Sequence, residues 1–388
     1  MNSEGRPNII LFVAEGHNAD VMGVYGNTIV ETPALDRLAR SGRSLSHCYA
    51  ASPLCVPARL SMLTERYVSD IGVWNNFFTL PSNDVPTLPR VLSDLGYDCY
   101  LAGRMHLEKD RDYGFTKLLP EYEDHTDIKT CEGVRRHPRD LNPLPDRWRR
   151  FRRRFAPSRQ AGERNRDLEI TEAAQAFLRE RQQASEDDNS RPFFLVVGFD
   201  GPASPFRPHP DVYEKYLDRV EPPRAPPPEF SSLTTNYQQI ARGDGFEFAT
   251  PKEMKKGRAA YYASVEELDA HVGSILDLAR LDETAVLYTS DHGEGLGEHG
   301  FWKKSTMFDS SVRVPLIVAL PGLSGSWLPE SRVCSALDIS ATIRQVAGDS
   351  AGLPGARGRS LLQKTAEAGA ALSPIIRARS TYGGGSER

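Results

Sequence analysis

Three stretches of the chain are apolar almost without interruption: Asn8–Val13 (NIILFV), Phe193–Phe199 (FFLVVGF) and Thr284–Ser290 (TAVLYTS). A continuous run, rather than alternation of apolar and polar positions, marks a central parallel strand buried on both faces. Between these runs the apolar positions fall at helical spacing. Thr32–Gly42 carries Leu35, Leu38 and Ala39 on one stripe, with Thr32 expected as N-cap, Pro33 in the first turn and Gly42 as the stop. Thr87–Gly96 reads as a second helix, and Tyr97–Leu101 as the strand that follows it. Asp167–Arg181 is helical through Leu168, Ile170, Ala173, Ala174 and Phe177. Met254–Leu278 is a long helix with Tyr261, Val265, Leu268, Val272, Ile275 and Leu276 inward. In parallel sheets ligands bind beyond the carboxyl ends of the strands. The residues just after each run are therefore the first candidates for chemistry.

Composition narrows the class. A chain of 388 residues can bury a large core, as one big domain with a small appendage. A net charge of −4, from 48 basic and 52 acidic residues, argues against a general nucleic-acid binder. The five cysteines (Cys48, Cys55, Cys99, Cys131, Cys334) are scattered, with no CxxC pair or metal spacing. That pattern favours a reducing compartment over a disulfide framework. No signal peptide or membrane span is legible, so the expected location is cytoplasmic. Residues 108–190 read as a variable insertion, with a polar loop at Ser185–Ser190. Its basic run Arg147–Arg154, interleaved with Trp148 and Phe151, could meet an anionic substrate, a phospholipid surface or nucleic acid. A solvated insertion is the preferred reading. Glu221–Phe230 (EPPRAPPPEF) is an extended surface connection.

The densest motif is Ser52–Arg66, with Cys55-x-Pro57-x-Arg59 at its core and Leu63-Thr64-Glu65-Arg66 after it. At helical spacing Arg59 shares a face with Cys55 and could hold oxygens around it. A buried cysteine opening a helix, with Arg59 solvated, fits those five residues equally well. The segment resembles the signature of the type I sulfatases, in the alkaline phosphatase superfamily, with Glu65 where that family has glycine. The resemblance implies that Cys55 is oxidised to Cα-formylglycine by a formylglycine-generating enzyme. The hydrated aldehyde then attacks sulfur or phosphorus, and its second hydroxyl later helps expel the anion. A sulfate ester repels nucleophiles, so a divalent metal and fixed cations must offset its charge.

Other segments resemble the same family. After the first run, Glu15 falls on its first metal aspartate and Gly16 on a second ligand that here has no side chain. Glu15 also reads as an ordinary carboxylate after a strand. Gly103-Arg104-Met105-His106 resembles Gly-Lys-x-His, whose lysine and histidine contact sulfate and formylglycine; a loop histidine beside a surface arginine is the plain alternative. Ala203 occupies the position of a substrate-contacting histidine, and His209 downstream is either a substitute or a surface residue. Asp291-His292-Gly293-Glu294, followed by Glu298-His299-Gly300-x-Trp302-x-Lys304, matches closely, and a plain turn does not account for that whole context. Asp338–Ile343 and Gly358–Leu362 resemble the family ending.

The resemblance implies an alkaline phosphatase-like α/β sandwich over residues 1–365, a large mixed, mainly parallel sheet with helices on both faces. The C-terminal subdomain is expected to be reduced or absent, and 366–388 to be a disordered tail. Implied metal ligands are Glu15, the modified Cys55, Asp291 and His292. Cys55, Arg59 and His106 are implied as catalytic, and Arg104 and Lys304 as substrate-binding. The ion is expected to be Ca2+, with Mn2+ or Mg2+ as alternatives. The substrate would be a small anionic ester, and self-association is open. Three functions compete: a sulfate-ester hydrolase, a phosphodiester or phosphonate monoester hydrolase with the same machinery, and a non-catalytic binding protein on a decayed site, suggested by Gly16 and Ala203.

Overall fold

A computed structural model describes residues 6–108, 111–119, 166–184, 191–223, 229–244, 250–323, 329–349 and 351–362. The basic run Arg147–Arg154, the loop Ser185–Ser190 and the tail 366–388 lie outside them. In chain order the strands are β1 (Asn8–Glu15), β2 (Arg43–Tyr49), β3 (Asp98–Gly103), β4 (Thr116–Lys117), β5 (Phe193–Pro202), β6 (Thr284–Ser290), β7 (Gly295–Leu296), β8 (Trp302–Lys303), β9 (Arg313–Ala319) and β10 (Glu330–Ser335). The principal helices are α1 (Pro33–Ser41), α2 (Cys55–Thr64), α3 (Leu88–Asp94), α4 (Arg166–Ala184), α5 (Pro251–Leu276) and α6 (Leu337–Val346).

Eight strands form one sheet in the order β10-β2-β9-β6-β1-β5-β3-β4. Only β9 runs against its neighbours; the remaining pairs are parallel. The apolar runs are the three innermost of these parallel strands, β6, β1 and β5. Along β1, Ile9, Leu11 and Val13 join a core with residues of α2, α3 and α6, while Ile10, Phe12 and Ala14 join a second core with α1, α4 and α5. Side chains alternate between faces in a strand, so a helix layer on each face demands apolar residues at every position. This is why the runs do not alternate.

One expectation is corrected. Thr32 opens α1, but its side chain makes no cap bond to the helix. Its hydroxyl accepts from Gly23 N, and Asp269 of α5 instead accepts from Ala34 N and Leu35 N at 3.0 and 2.8 Å. The cap comes from a neighbouring helix, which a local reading does not reach. Within the stretch 108–190, α4 covers the helix expected at Asp167–Arg181 and buries Ile170, Ala174 and Phe177 against the sheet.

Candidate active site

The carboxyl ends of β1, β2, β3, β5 and β6 share one edge of the sheet, and the candidate residues gather there. Glu15 ends β1, and Asp291 and His292 follow β6. The chain leaves β2 through residues 50–54 and enters α2 at Cys55, a helix buried along its whole length. Arg59, one turn on, is fully buried, so the reading that leaves it solvated fails. Arg104 and His106 leave β3 where its backbone crosses β5. Arg104 N donates to Gly198 O at 2.7 Å, and a Cβ on Gly198 would lie 1.9 Å from Arg104 O. Only glycine permits that crossing. Lys304 follows β8.

The geometry is tight around the Cys55 sulfur. Its Sγ lies 3.4 Å from Glu15 Oε1 and 3.4 Å from His292 Nε2, and Lys304 Nζ donates to it at 2.6 Å. Lys304 Nζ is also 2.9 Å from His292 Nε2 and 3.5 Å from Glu15 Oε1. Arg59 Nε donates to Asp291 Oδ2 at 2.8 Å, and its Nη1 to Arg104 O at 2.6 Å. Asp291 Oδ1 accepts from Gly16 N and His292 N, at 3.1 and 2.9 Å. His106, at φ 53°, brings Nε2 to 3.9 Å from Glu15 Oε2. All eight expected residues therefore face one centre.

Burial and charge set the protonation states. Burial alone would raise Glu15, but His106 in its protonated form, together with Lys304, Arg59 and Arg104, holds it well below the carboxylate range. Asp291 is likewise lowered, burial being outweighed chiefly by Arg59 and, where its ring is protonated, by His292. Burial pushes the Cys55 thiol up to about 12 despite Lys304. It pushes the imidazoles down, His106 to about 3 and His292 to about 4, so both are neutral near pH 7. Lys304 rises above its ordinary value because Cys55, Glu15 and Asp291 outweigh its burial.

The donor set fits a divalent cation. Ligating atoms of Glu15, Cys55 and His292 lie within 4.8 Å of one another, as do those of Cys55, His106 and Asp291. Carboxylate oxygens with a neutral imidazole suit Ca2+, Mn2+ or Mg2+. Gly16 contributes no ligand: at φ +74° it faces His292 Cε1 and Glu294 Oε2, each 3.4 Å from where a Cβ would stand.

Asp200 is a residue the sequence reading passed over. Its carboxylate lies 2.8 Å from Arg104 Nε and accepts from Nη2 at 3.3 Å, while Arg104 Nη1 is 3.2 Å from His106 Nε2. The signal was present: Asp200 is the first charged residue after the second apolar run, as Glu15 is after the first. Other expectations resolve simply. His209 caps the helix Pro210–Leu217, accepting from Asp211 N, and does not stand in for the histidine missing at Ala203. His299 is exposed and stacked on Phe308, with ring centroids 4.2 Å apart.

Comparison with known proteins bears on the family and the fold. The family model described as Sulfatase matches residues 7–349. A choline-sulfatase of Rhizobium meliloti is 29% identical over 370 residues, covering 89% of this chain and 68% of the relative. An arylsulfatase of Clostridium perfringens is 26% identical over 351 residues, covering 82% and 69%. Among solved structures, a phosphonate monoester hydrolase from Silicibacter pomeroyi superposes with a TM-score of 0.71 at 20% identity, covering 92% of this chain and 76% of that one.

Proposed function

Because the chain belongs to the sulfatase family, hydrolases of sulfuric esters in the alkaline phosphatase superfamily, we propose that it cleaves a small anionic sulfate ester at the centre around Cys55. The observation that carries this is the ring about that sulfur, in which Glu15, His292 and Lys304 all approach within 3.4 Å. Conversion of Cys55 to formylglycine by a formylglycine-generating enzyme would supply, once hydrated, the hydroxyl that attacks sulfur. Glu15, Asp291 and His292 would hold one divalent cation, Ca2+ before Mn2+ or Mg2+, whose charge favours the anionic ester.

The protein's own groups do the remaining work. Arg59 neutralises Glu15 and Asp291 and fixes the orientation of Asp291 through its Nε. Lys304 stays protonated beside the position of the attacking atom and offsets charge that grows there. His292 donates from Nδ1 to Gly293 O, 2.8 Å away, which fixes the Nδ1–H tautomer and leaves the Nε2 lone pair facing the centre. Neutral His106 can accept a hydrogen bond from a bound hydroxyl and so orient it. Asp200 holds the Arg104 guanidinium, which aims its Nη1 at the same space and can donate to ester oxygens.

Gly16 favours a second reading. It removes one carboxylate from the metal site, and a phosphodiester or phosphonate monoester carries the same single charge as a sulfate ester. Paired aryl sulfate and aryl phosphodiester substrates separate the two by kcat/KM. The experiment that tests both is intact-mass analysis of the peptide containing Cys55 after coexpression with the converting enzyme. Formylglycine formation lowers its mass by about 18 Da, the difference between thiol and aldehyde. A peptide that keeps its thiol, from a protein inert to both substrates, would leave only a binding function.

A further inference from the structure

Cys334 lies on β10, the outermost strand beside β2, in register with Cys48. Both side chains are buried in the same core on one face of the sheet, and both are free thiols. The two residues are far apart in sequence, and only the sheet brings them together. Neighbouring strands lie about 4.8 Å apart, and a disulfide spans Cα separations of roughly 4.4–6.8 Å. The spacing of paired strands thus falls within the span of a disulfide, and β10 has one hydrogen-bonded neighbour among the described residues, so small adjustments there leave the rest of the sheet in place. We propose that Cys48 and Cys334 form a thiol–disulfide modification site whose co-reactant is a low-molecular-weight disulfide such as oxidised glutathione.

The chemistry balances. One cysteine, as thiolate, attacks a sulfur of the small disulfide and releases one small thiol. The second cysteine attacks the mixed disulfide and releases the other. The protein gives up two electrons and two protons, and the small disulfide becomes two thiols. Entry is through β10, an edge strand whose Val333 is 47% exposed and which can open without disturbing the sheet centre. The hydrogen bond to Cys334, together with burial, raises the Cys48 thiol above its ordinary range, so Cys48 is slow to react until that edge opens.

The bond would brace the nucleophile helix. β2 leads through residues 50–54 into α2, which begins at Cys55. β10 leads into α6, where Ser340 Oγ donates to Met62 O of α2 at 2.6 Å. Joining the strands ties together the two segments that seat α2. This inference does not depend on the reaction proposed above.

The folded full chain is incubated in an oxidising glutathione buffer, remaining thiols are alkylated, and non-reduced peptides are mapped by tandem mass spectrometry. The expected result is a Cys48–Cys334 link, a mass lower by two hydrogens, and a Tm about 5 °C above that of the reduced protein. In Cys334→Ser the redox-dependent shift in Tm disappears. Recovery of both cysteines as alkylated thiols, or as separate glutathione adducts, overturns the proposal, and so does a Cys334→Ser protein that keeps the shift. If that variant does not fold, the wild-type peptide map decides.

Discussion

Arg59 lies against two buried carboxylates, 2.8 Å from Asp291 Oδ2 and 3.8 Å from Glu15 Oε2. Deleting one member of a buried ion cluster leaves charge that water cannot reach, at a cost of about 3–5 kcal/mol. We therefore expect Arg59→Ala, unfolded in urea with a chelator present, to lose about 3 kcal/mol and to show no measurable turnover. A loss under 1 kcal/mol would mean that Glu15 and Asp291 do not depend on Arg59 for their charge. A second residue makes stability depend on pH without touching the reacting centre. His17 is fully buried between Tyr288 OH and Val21 O, at 2.5 and 3.0 Å, and burial lowers it from 6.5 to about 4. The unfolded chain thus binds a proton below pH 6.5 that the folded chain refuses until about pH 4. Stability contributed by the neutral ring is present above pH 6.5 and is lost as pH falls through that window, by about 3 kcal/mol in all. Urea titrations of His17→Gln across the same range should show a shallower loss; parallel curves for both proteins would contradict this. Spacing alone put Arg59 on the same face as Cys55. It could not say that the face was buried, because burial depends on what packs over the helix.

Helix α2 is held at both ends by contacts from elsewhere in the chain. At its start, Asn76 Oδ1 accepts from Val56 N at 3.1 Å. At its end, Glu65 adopts φ 53° and turns its carboxylate inward, where Arg344 of α6 meets it at 2.5 and 2.9 Å. The sequence showed Glu65 in a glycine position, and the structure supplies the reason a side chain is kept there. A glycine would relieve the left-handed backbone by roughly 1 kcal/mol but leave a buried guanidinium short of a partner, at about 3 kcal/mol. Glu65→Gly should therefore be destabilised by about 2 kcal/mol, and Glu65→Gly with Arg344→Met should recover part of the loss. Chemical denaturation of the single and double variants checks this; a single variant more stable than wild type would rule out the ion pair as the reason. The alternation of strands and helices, and the glycines and prolines that bound them, were legible along the chain. The Asp269 cap on α1 and the Arg344 clamp on α2 were not, because each joins residues distant in sequence.

Across the whole molecule, charge at the sheet edge couples ligand binding to stability. If Glu15, Asp291 and His292 hold a divalent ion in the folded state alone, a concentration one hundred times Kd should stabilise the protein by about 2.7 kcal/mol. Calorimetry with Ca2+, Mn2+ or Mg2+ against a chelated control should show that rise in Tm, and Glu15→Ala should lose most of it. A Tm that no divalent ion moves would remove the metal from the proposed reaction. By itself the sequence determined which segments lie at the sheet centre, because a strand covered on both faces must be apolar at every position. It also determined which residue types follow those strands, and so the family resemblance and the candidate centre. Tertiary structure alone decided that Asp200 fixes Arg104, that Glu65 is paired, and that Cys48 and Cys334 stand side by side. Those pairings depend on which strands become neighbours, and strand order is set by packing over the whole sheet, which no local pattern of residues records.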